Sequence, residues 1–237
     1  MNDGQDITNG LVEFYQSFFV DLFSEKLLGF TDKSSEIPYN IMFVGATGAG
    51  KSTTLNGILG KDSAAVGHIR PETQNVRPYR LDEQITLWDT PGLGEDEEAD
   101  KAHKEKITSL LKRRKGKGAF IDAVIVIVEA GRKDFGTLYE LLQEIIFPNI
   151  PKGRILFAMN QADFAMKGNH WYSSFNLPDK VLKDFLDEAA RDFAKRVYET
   201  TGAIVERPIY YSARTGYNMD VLKRKIVQTA HIVTRSS

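Results

Sequence analysis

The sequence contains no cysteine, no long apolar run and no surplus of either charge. Without cysteine, disulfide scaffolds, thiolate-ligated zinc and thiol nucleophiles are all excluded. No stretch approaches the roughly 18–20 apolar residues that a membrane-spanning helix needs. The opening MNDGQDITNG lacks the basic start and apolar stretch of a signal peptide, so a cytoplasmic protein is expected. Lysine and arginine number 31 against 32 aspartates and glutamates, a net charge of −1. That balance excludes both a globally basic nucleic-acid coat and an acidic disordered chain. Internal repeats and low-complexity tracts are also missing. What remains is 237 residues, 42% of them hydrophobic, enough for one α/β domain with a core of its own and a small appendage.

Residues 11–30 read as an amphipathic helix, with Leu11, Tyr15, Phe18, Phe19, Leu22 and Phe23 at three- and four-residue spacing. Residues 31–38 (TDKSSEIP) are polar and end in proline, as a linker would. From Tyr39 the pattern alternates between strand and helix. Strands are predicted at 40–44, 85–88, 121–128, 155–159 and 209–211, and helices at 52–59, 95–111, 136–146, 179–200 and 219–233. Residues 76–81 form a further strand that Pro78 confines to a sheet edge. Continuous β-branched runs separated by helices imply a mostly parallel, doubly wound sheet covered on both faces. The expected organisation is a helical extension over 1–38 and an α/β domain over 39–237.

Between the first strand and helix stands Gly45-Ala46-Thr47-Gly48-Ala49-Gly50-Lys51-Ser52, a complete G-x-x-x-x-G-K-[ST]. A loop that wraps a phosphate closely enough to aim its backbone N–H groups inward cannot carry bulky side chains, and Gly45, Gly48 and Gly50 give that access. Gly45, Thr47, Gly48, Ala49, Gly50, Lys51, Ser52 and Thr53 are therefore expected to bind nucleotide phosphates, aided by the helix dipole. Lys51 can reach the β- and γ-phosphates, and the Ser52 hydroxyl can ligate Mg²⁺.

Further motifs carry a family resemblance. Asp89-Thr90-Pro91-Gly92 matches D-x-x-G, Asn160-Gln161-Ala162-Asp163 resembles N-K-x-D, and Ser212-Ala213 resembles the S-A guanine loop. In this order, from about Tyr39 onward, they resemble the TRAFAC-class P-loop GTPases. The phosphate loop is most similar to that of Era-related, 50S-ribosome-binding-type bacterial GTPases, with features of septins and immunity-associated GTPases. The resemblance implies GTP and GDP as ligands, Mg²⁺ as cofactor, and slow hydrolysis in a nucleotide-dependent switch. It implies that Asp89 holds Mg²⁺ through water, that the Gly92 N–H senses the γ-phosphate and that Asp163 accepts from guanine N1–H and the 2-amino group. Asn160 would brace the loop, and the Ala213 N–H, beside Ser212, would meet guanine O6. Gln161 replaces the family's lysine and is expected to keep flat packing over base and sugar without the charge.

Thr73 is the best match to the switch threonine that contacts the γ-phosphate and Mg²⁺. Leu93 stands where Ras-like enzymes carry a water-orienting glutamine, a substitution found in GTPases that complete their sites by dimerisation or a partner. Gly48 occupies the asparagine position of the potassium-activated branch, so potassium activation is not expected. Arg70 has the spacing from Thr73 of an arginine supplied in cis to the transferring phosphoryl group. The plainer reading, a solvated loop arginine, is preferred, and His68 ranks below it.

Other features have bland readings beside sharp ones. Residues 95–98 (EDEE) are a metal cluster or the acidic first turn of a helix, and the turn is preferred. The basic run 112–117 (KRRKGK) touches RNA, the ribosome or a membrane, or simply ends a helix and enters a loop. The chain is expected to end with its GTPase-like domain, without the KH domain of Era, which weighs against RNA. The apolar face of residues 11–30 packs on the core or serves a second protomer or protein partner. A nucleotide-gated assembly protein and, behind it, a P-loop ATPase remain the alternative functions.

Overall fold

The computed structural model describes residues 39–60, 76–81, 85–94, 96–116 and 118–235. The expected helix at 11–30, its linker, and His68, Arg70, Thr73 and Glu95 lie outside the described residues.

Strand β1 (Tyr39–Gly45) leads through the glycine-rich loop into α1 (Lys51–Leu59), and β2 (Arg77–Arg80) and β3 (Ile85–Asp89) follow. Helix α2 (Glu97–Lys112) then precedes a short ladder of β4 (Arg114–Lys115) and β5 (Gly118–Ala119). Strand β6 (Ala123–Glu129) leads to α3 (Gly136–Leu141), which continues through a π-helical turn at Leu142–Ile146. Strand β7 (Ile155–Asn160), a hairpin of β8 (Trp171–Tyr172) and β9 (Leu177–Pro178), and α4 (Lys180–Thr201) come next. Strand β10 (Ile209–Tyr210) and α5 (Met219–Arg235) complete the chain's described part.

Six strands form one sheet in the order β10-β7-β6-β1-β3-β2, parallel except for β2 against β3. The chain winds from β1 to one side through β3 and to the other through β6, β7 and β10. Loops at the carboxyl ends of β1, β3 and β7 therefore face one crevice at the point where the winding reverses. The expected edge strand is β2, with Pro78 opposite Trp88.

The middles of β1 (Ile41–Val44) and β6 (Ala123–Val128) are apolar at every position because both faces are covered. In β1, Met42 and Val44 join Val124, Val126 and Val128 of β6 beneath α2, α3 and α4. The alternate residues Ile41 and Phe43 join Ile125 and Ile127 beneath α1 and α5. On the first face Phe193 of α4 meets Phe135 edge-on, with centroids 5.2 Å apart, and Phe157 at 5.5 Å.

Three expectations are corrected. The helix predicted at 136–146 is α-helical only to Leu141. The basic run does not pass into an irregular loop, because Arg114–Lys115 pairs antiparallel with Gly118–Ala119 and Arg113 lies 4.1 Å over the Phe120 ring. Tyr211 lies just past β10 rather than within it. The acidic stretch follows its plainer reading. Asp96 caps α2 by accepting from the Ala99 N–H at 2.8 Å, and Glu97, Glu98 and Asp100 fill its first turn.

Candidate nucleotide-binding site

The phosphate loop hangs between two left-handed glycines, Gly48 at φ 80° and Gly50 at φ 87°. Helix α1 begins directly after it with neither a side-chain cap nor an acid in its first turn. Its first N–H groups are thus the kind of donors that an anion satisfies. Lys51 is 7% exposed and folds back over the loop, donating to the carbonyls of Gly45 (3.1 Å) and Ala46 (3.0 Å). Thr53, one residue past Ser52, is exposed.

Two of the three expected metal ligands, Ser52 and Asp89, meet. Ser52 Oγ donates to Asp89 Oδ2 at 2.8 Å, and Asp89 is buried at the end of β3. A hydroxyl and a carboxylate beside a phosphate loop form the hard oxygen donor set that suits Mg²⁺. Next along the chain, Thr90 donates to the Phe43 carbonyl and anchors the D-x-x-G turn to β1.

That turn is closed onto the phosphate loop. Thr47 N–H donates to Leu93 O at 2.9 Å, and Leu93 N–H to Gly45 O at 3.3 Å, so Leu93 is buried rather than facing a reacting water. Helix α2 holds the turn from behind. His103 donates from Nδ1 to the Gly92 carbonyl at 2.8 Å, and the Asp100 carboxylate accepts the Gly94 N–H. Gly92 has no room for a side chain, since a Cβ there would lie 2.1 Å from Thr47 Oγ1 and 2.5 Å from its Cα.

At the other end, Asn160 bridges two loops. Its Nδ2 donates to Ala49 O and its Oδ1 accepts from the Ala213 N–H, both at 2.9 Å, so one buried side chain ties the phosphate loop to the Ser212-Ala213 loop. A second tie was not legible in the motifs. Thr54 spends its proton on Gly50 O at 2.8 Å, so the Tyr211 hydroxyl donates to Thr54 at 2.7 Å. Burial pushes the Tyr211 phenol pKa upward and keeps it a neutral donor. Tyr211→Phe is expected to cost about 1 kcal/mol and to lower Tm by about 2–4 °C, measurable by thermal denaturation.

Other contacts go beyond those expected. Gln161 adopts a left-handed backbone, φ 65°, and its Nε2 donates to Gly48 O at 2.7 Å, so it grips the phosphate loop. Ser212 is fully buried; its Oγ accepts from the Thr215 N–H and holds the turn. The Ala213 N–H is aimed at Asn160. Asp163 is buried in the short turn after β7, and its carboxylate is gripped by Arg214, which the motifs did not single out.

A model of the 50S ribosome-binding GTPase family matches residues 40–161, just over half of the 237 residues. The chain belongs to that family. Within this GTPase family setting, the chain is 28% identical over 164 residues to the uncharacterized protein YkfA of Escherichia coli strain K12, covering 67% of this chain and 54% of YkfA. It is 26% identical over 201 residues to immune-associated nucleotide-binding protein 5 of Arabidopsis thaliana, covering 84% of this chain and 61% of that protein. The chain thus spans about half to three fifths of the length of these curated relatives. The crystal structure of Toc33 from Arabidopsis thaliana with Mg²⁺ and GMPPNP superposes with a TM-score of 0.59 at 17% identity, over 88% of this chain and 92% of that one. That likeness shows the P-loop GTPase fold. No described helix is long and apolar enough to cross a membrane.

Proposed function

We propose that the chain binds GTP and GDP with Mg²⁺ and hydrolyses GTP slowly, as a nucleotide-dependent switch. The observation that supports this most is the Asn160 bridge between Ala49 and Ala213. It fixes the buried Asp163 carboxylate relative to the phosphate loop, so base and phosphates are read as one unit.

The roles follow from position. Lys51 leaves the Gly45 and Ala46 carbonyls for the β- and γ-phosphate oxygens, where it neutralises charge that grows in the transition state. Ser52, and Asp89 through water, would hold Mg²⁺, which when bound would supply further charge neutralisation at the phosphates. The Gly92 N–H donates to the γ-phosphate once the D-x-x-G turn lifts from Thr47. Thr73 completes the switch, and Arg70 is the residue to test for charge neutralisation in cis. Leu93 has no hydrogen-bonding group with which to orient water, which supports slow turnover. It also supports the second reading, nucleotide-gated association with another protomer or protein through residues 11–30.

Competition of GTP, GDP and ATP against a fluorescent guanine nucleotide, with single-turnover phosphate release, tests the reading. Guanine nucleotides are expected to displace the probe at concentrations about tenfold or more below ATP, and EDTA to abolish phosphate release. Equal displacement by ATP would sink the GTPase assignment and leave only a phosphate loop. Gly92→Ala, whose Cβ meets the Thr47 backbone as well as its Oγ1, is expected to keep GDP binding. Its single-turnover hydrolysis should slow about tenfold to a hundredfold, the cost of misplacing one donor to the phosphoryl group.

A further inference from the structure

Asp163 already has a ligand. Arg214 donates from Nε, at 2.9 Å, and from Nη2 to a single carboxylate oxygen, Oδ2. The carboxylate side chain is 2% exposed and the arginine 74%, so the guanidinium lies across the mouth of a buried acceptor with its outer edge in water. The arginine's backbone is pinned. Ser212 Oγ accepts from the Thr215 N–H, the Gly216 N–H donates to Ser212 O and the Ser212 N–H to Tyr217 O, all at 3.1 Å or less.

A guanidinium edge and the N1–H/2-amino edge of guanine present the same chemistry, two roughly parallel N–H donors on a rigid planar frame. Guanine's two donors span both carboxylate oxygens, so guanine needs the Oδ2 that Arg214 occupies. Adenine offers no such edge, so it gains nothing from displacing Arg214.

Resting on Asp163 as the guanine reader, the geometry points to Arg214 as an internal competitor for the base site. It satisfies the carboxylate when no guanine is bound, must swing into solvent when guanine enters, and so sets guanine affinity and entry rate. Its outward exposure makes the swing a surface rotation that breaks no core packing.

The experiment is equilibrium and stopped-flow binding of fluorescent GDP to the full chain, as wild type, Arg214→Ala, Arg214→Lys and Asp163→Asn. ATP binding serves as the control. Arg214→Ala is expected to tighten GDP binding about threefold to tenfold, the range of one partly exposed charge-assisted pair, mostly through faster association, with ATP binding unchanged. Arg214→Lys, which keeps the charge and loses the fork, should fall between the two. The wild-type to Arg214→Ala affinity ratio should approach one as salt screens the pair toward 0.5 M. Arg214→Ala binding GDP equally or more weakly, while Asp163→Asn still loses guanine preference, would overturn the competitor role alone. Asp163→Asn leaving the preference of GTP over ATP intact would overturn the base-reading role of Asp163 and the competitor with it.

Discussion

Asp163→Asn is expected to move base preference from guanine to xanthine, with guanine affinity falling by roughly 10²–10⁴-fold. With Asp163 as the guanine reader, the buried carboxylate would accept from both guanine donors, and each hydrogen bond to a charged group is worth about 1.5–3 kcal/mol. Losing the charge and turning one acceptor into an amide donor forfeits about 3–6 kcal/mol, which converts at about 1.4 kcal/mol per decade. Xanthine carries an oxygen where guanine carries the 2-amino group, so the asparagine amide can donate to it while its carbonyl accepts from N1–H. The phosphate end is untouched, because Lys51, Ser52 and Asp89 lie on other elements. Competition of GTP, XTP and ATP measures the change. A variant that still ranks GTP first would mean that the turn after β7 does not read the base.

Gly45→Ala is expected to lose about 3–5 kcal/mol of stability and to lower Tm by about 6–20 °C, read by thermal or chemical denaturation. A Cβ on Gly45 would lie 2.2 Å from the carbonyl oxygen of Ile127, in the neighbouring central strand. The obstacle is backbone, so no rotamer change relieves it. The glycine also sits at φ 156°, where L side chains are strained. To admit the methyl, β1 and β6 must part where both are buried on each face. Unchanged stability would show that the loop shifts without disturbing the sheet.

The main elements were legible because their sequence patterns have one solution. AVIVIV, residues 123–128, can be apolar throughout only if both faces are covered, and the structure buries Val124 and Ile125 on opposite ones. The phosphate loop was legible because close approach to a phosphate leaves little choice of residue type. The two short hairpins were not, since two-residue strands have no periodicity and Pro178 reads as a breaker. The π-helical turn was invisible because Leu142, Ile145 and Ile146 are buried under either winding. The hold of Gln161 on Gly48 was not legible because it depends on a left-handed backbone, which its residue type does not announce. Arg214 escaped notice because an exposed arginine in a turn is ordinary until the partner beneath it is known. The one available signal was its place directly after Ser212-Ala213.

The site hangs by short loops from the ends of β1, β3 and β7, whose residues are buried almost without exception. In amide hydrogen exchange those strands should be among the last to exchange, opening only with the whole domain, while the loops a few residues away open locally. Nucleotide arrival and departure then draw on loop motions of microseconds to milliseconds rather than on unfolding. Two clocks run along one short stretch of chain, from β1 into the phosphate loop. The amides of Ile41 to Val44 should keep time with global stability whatever ligand is present, and those from Thr47 to Lys51 should slow only when the nucleotide is in place.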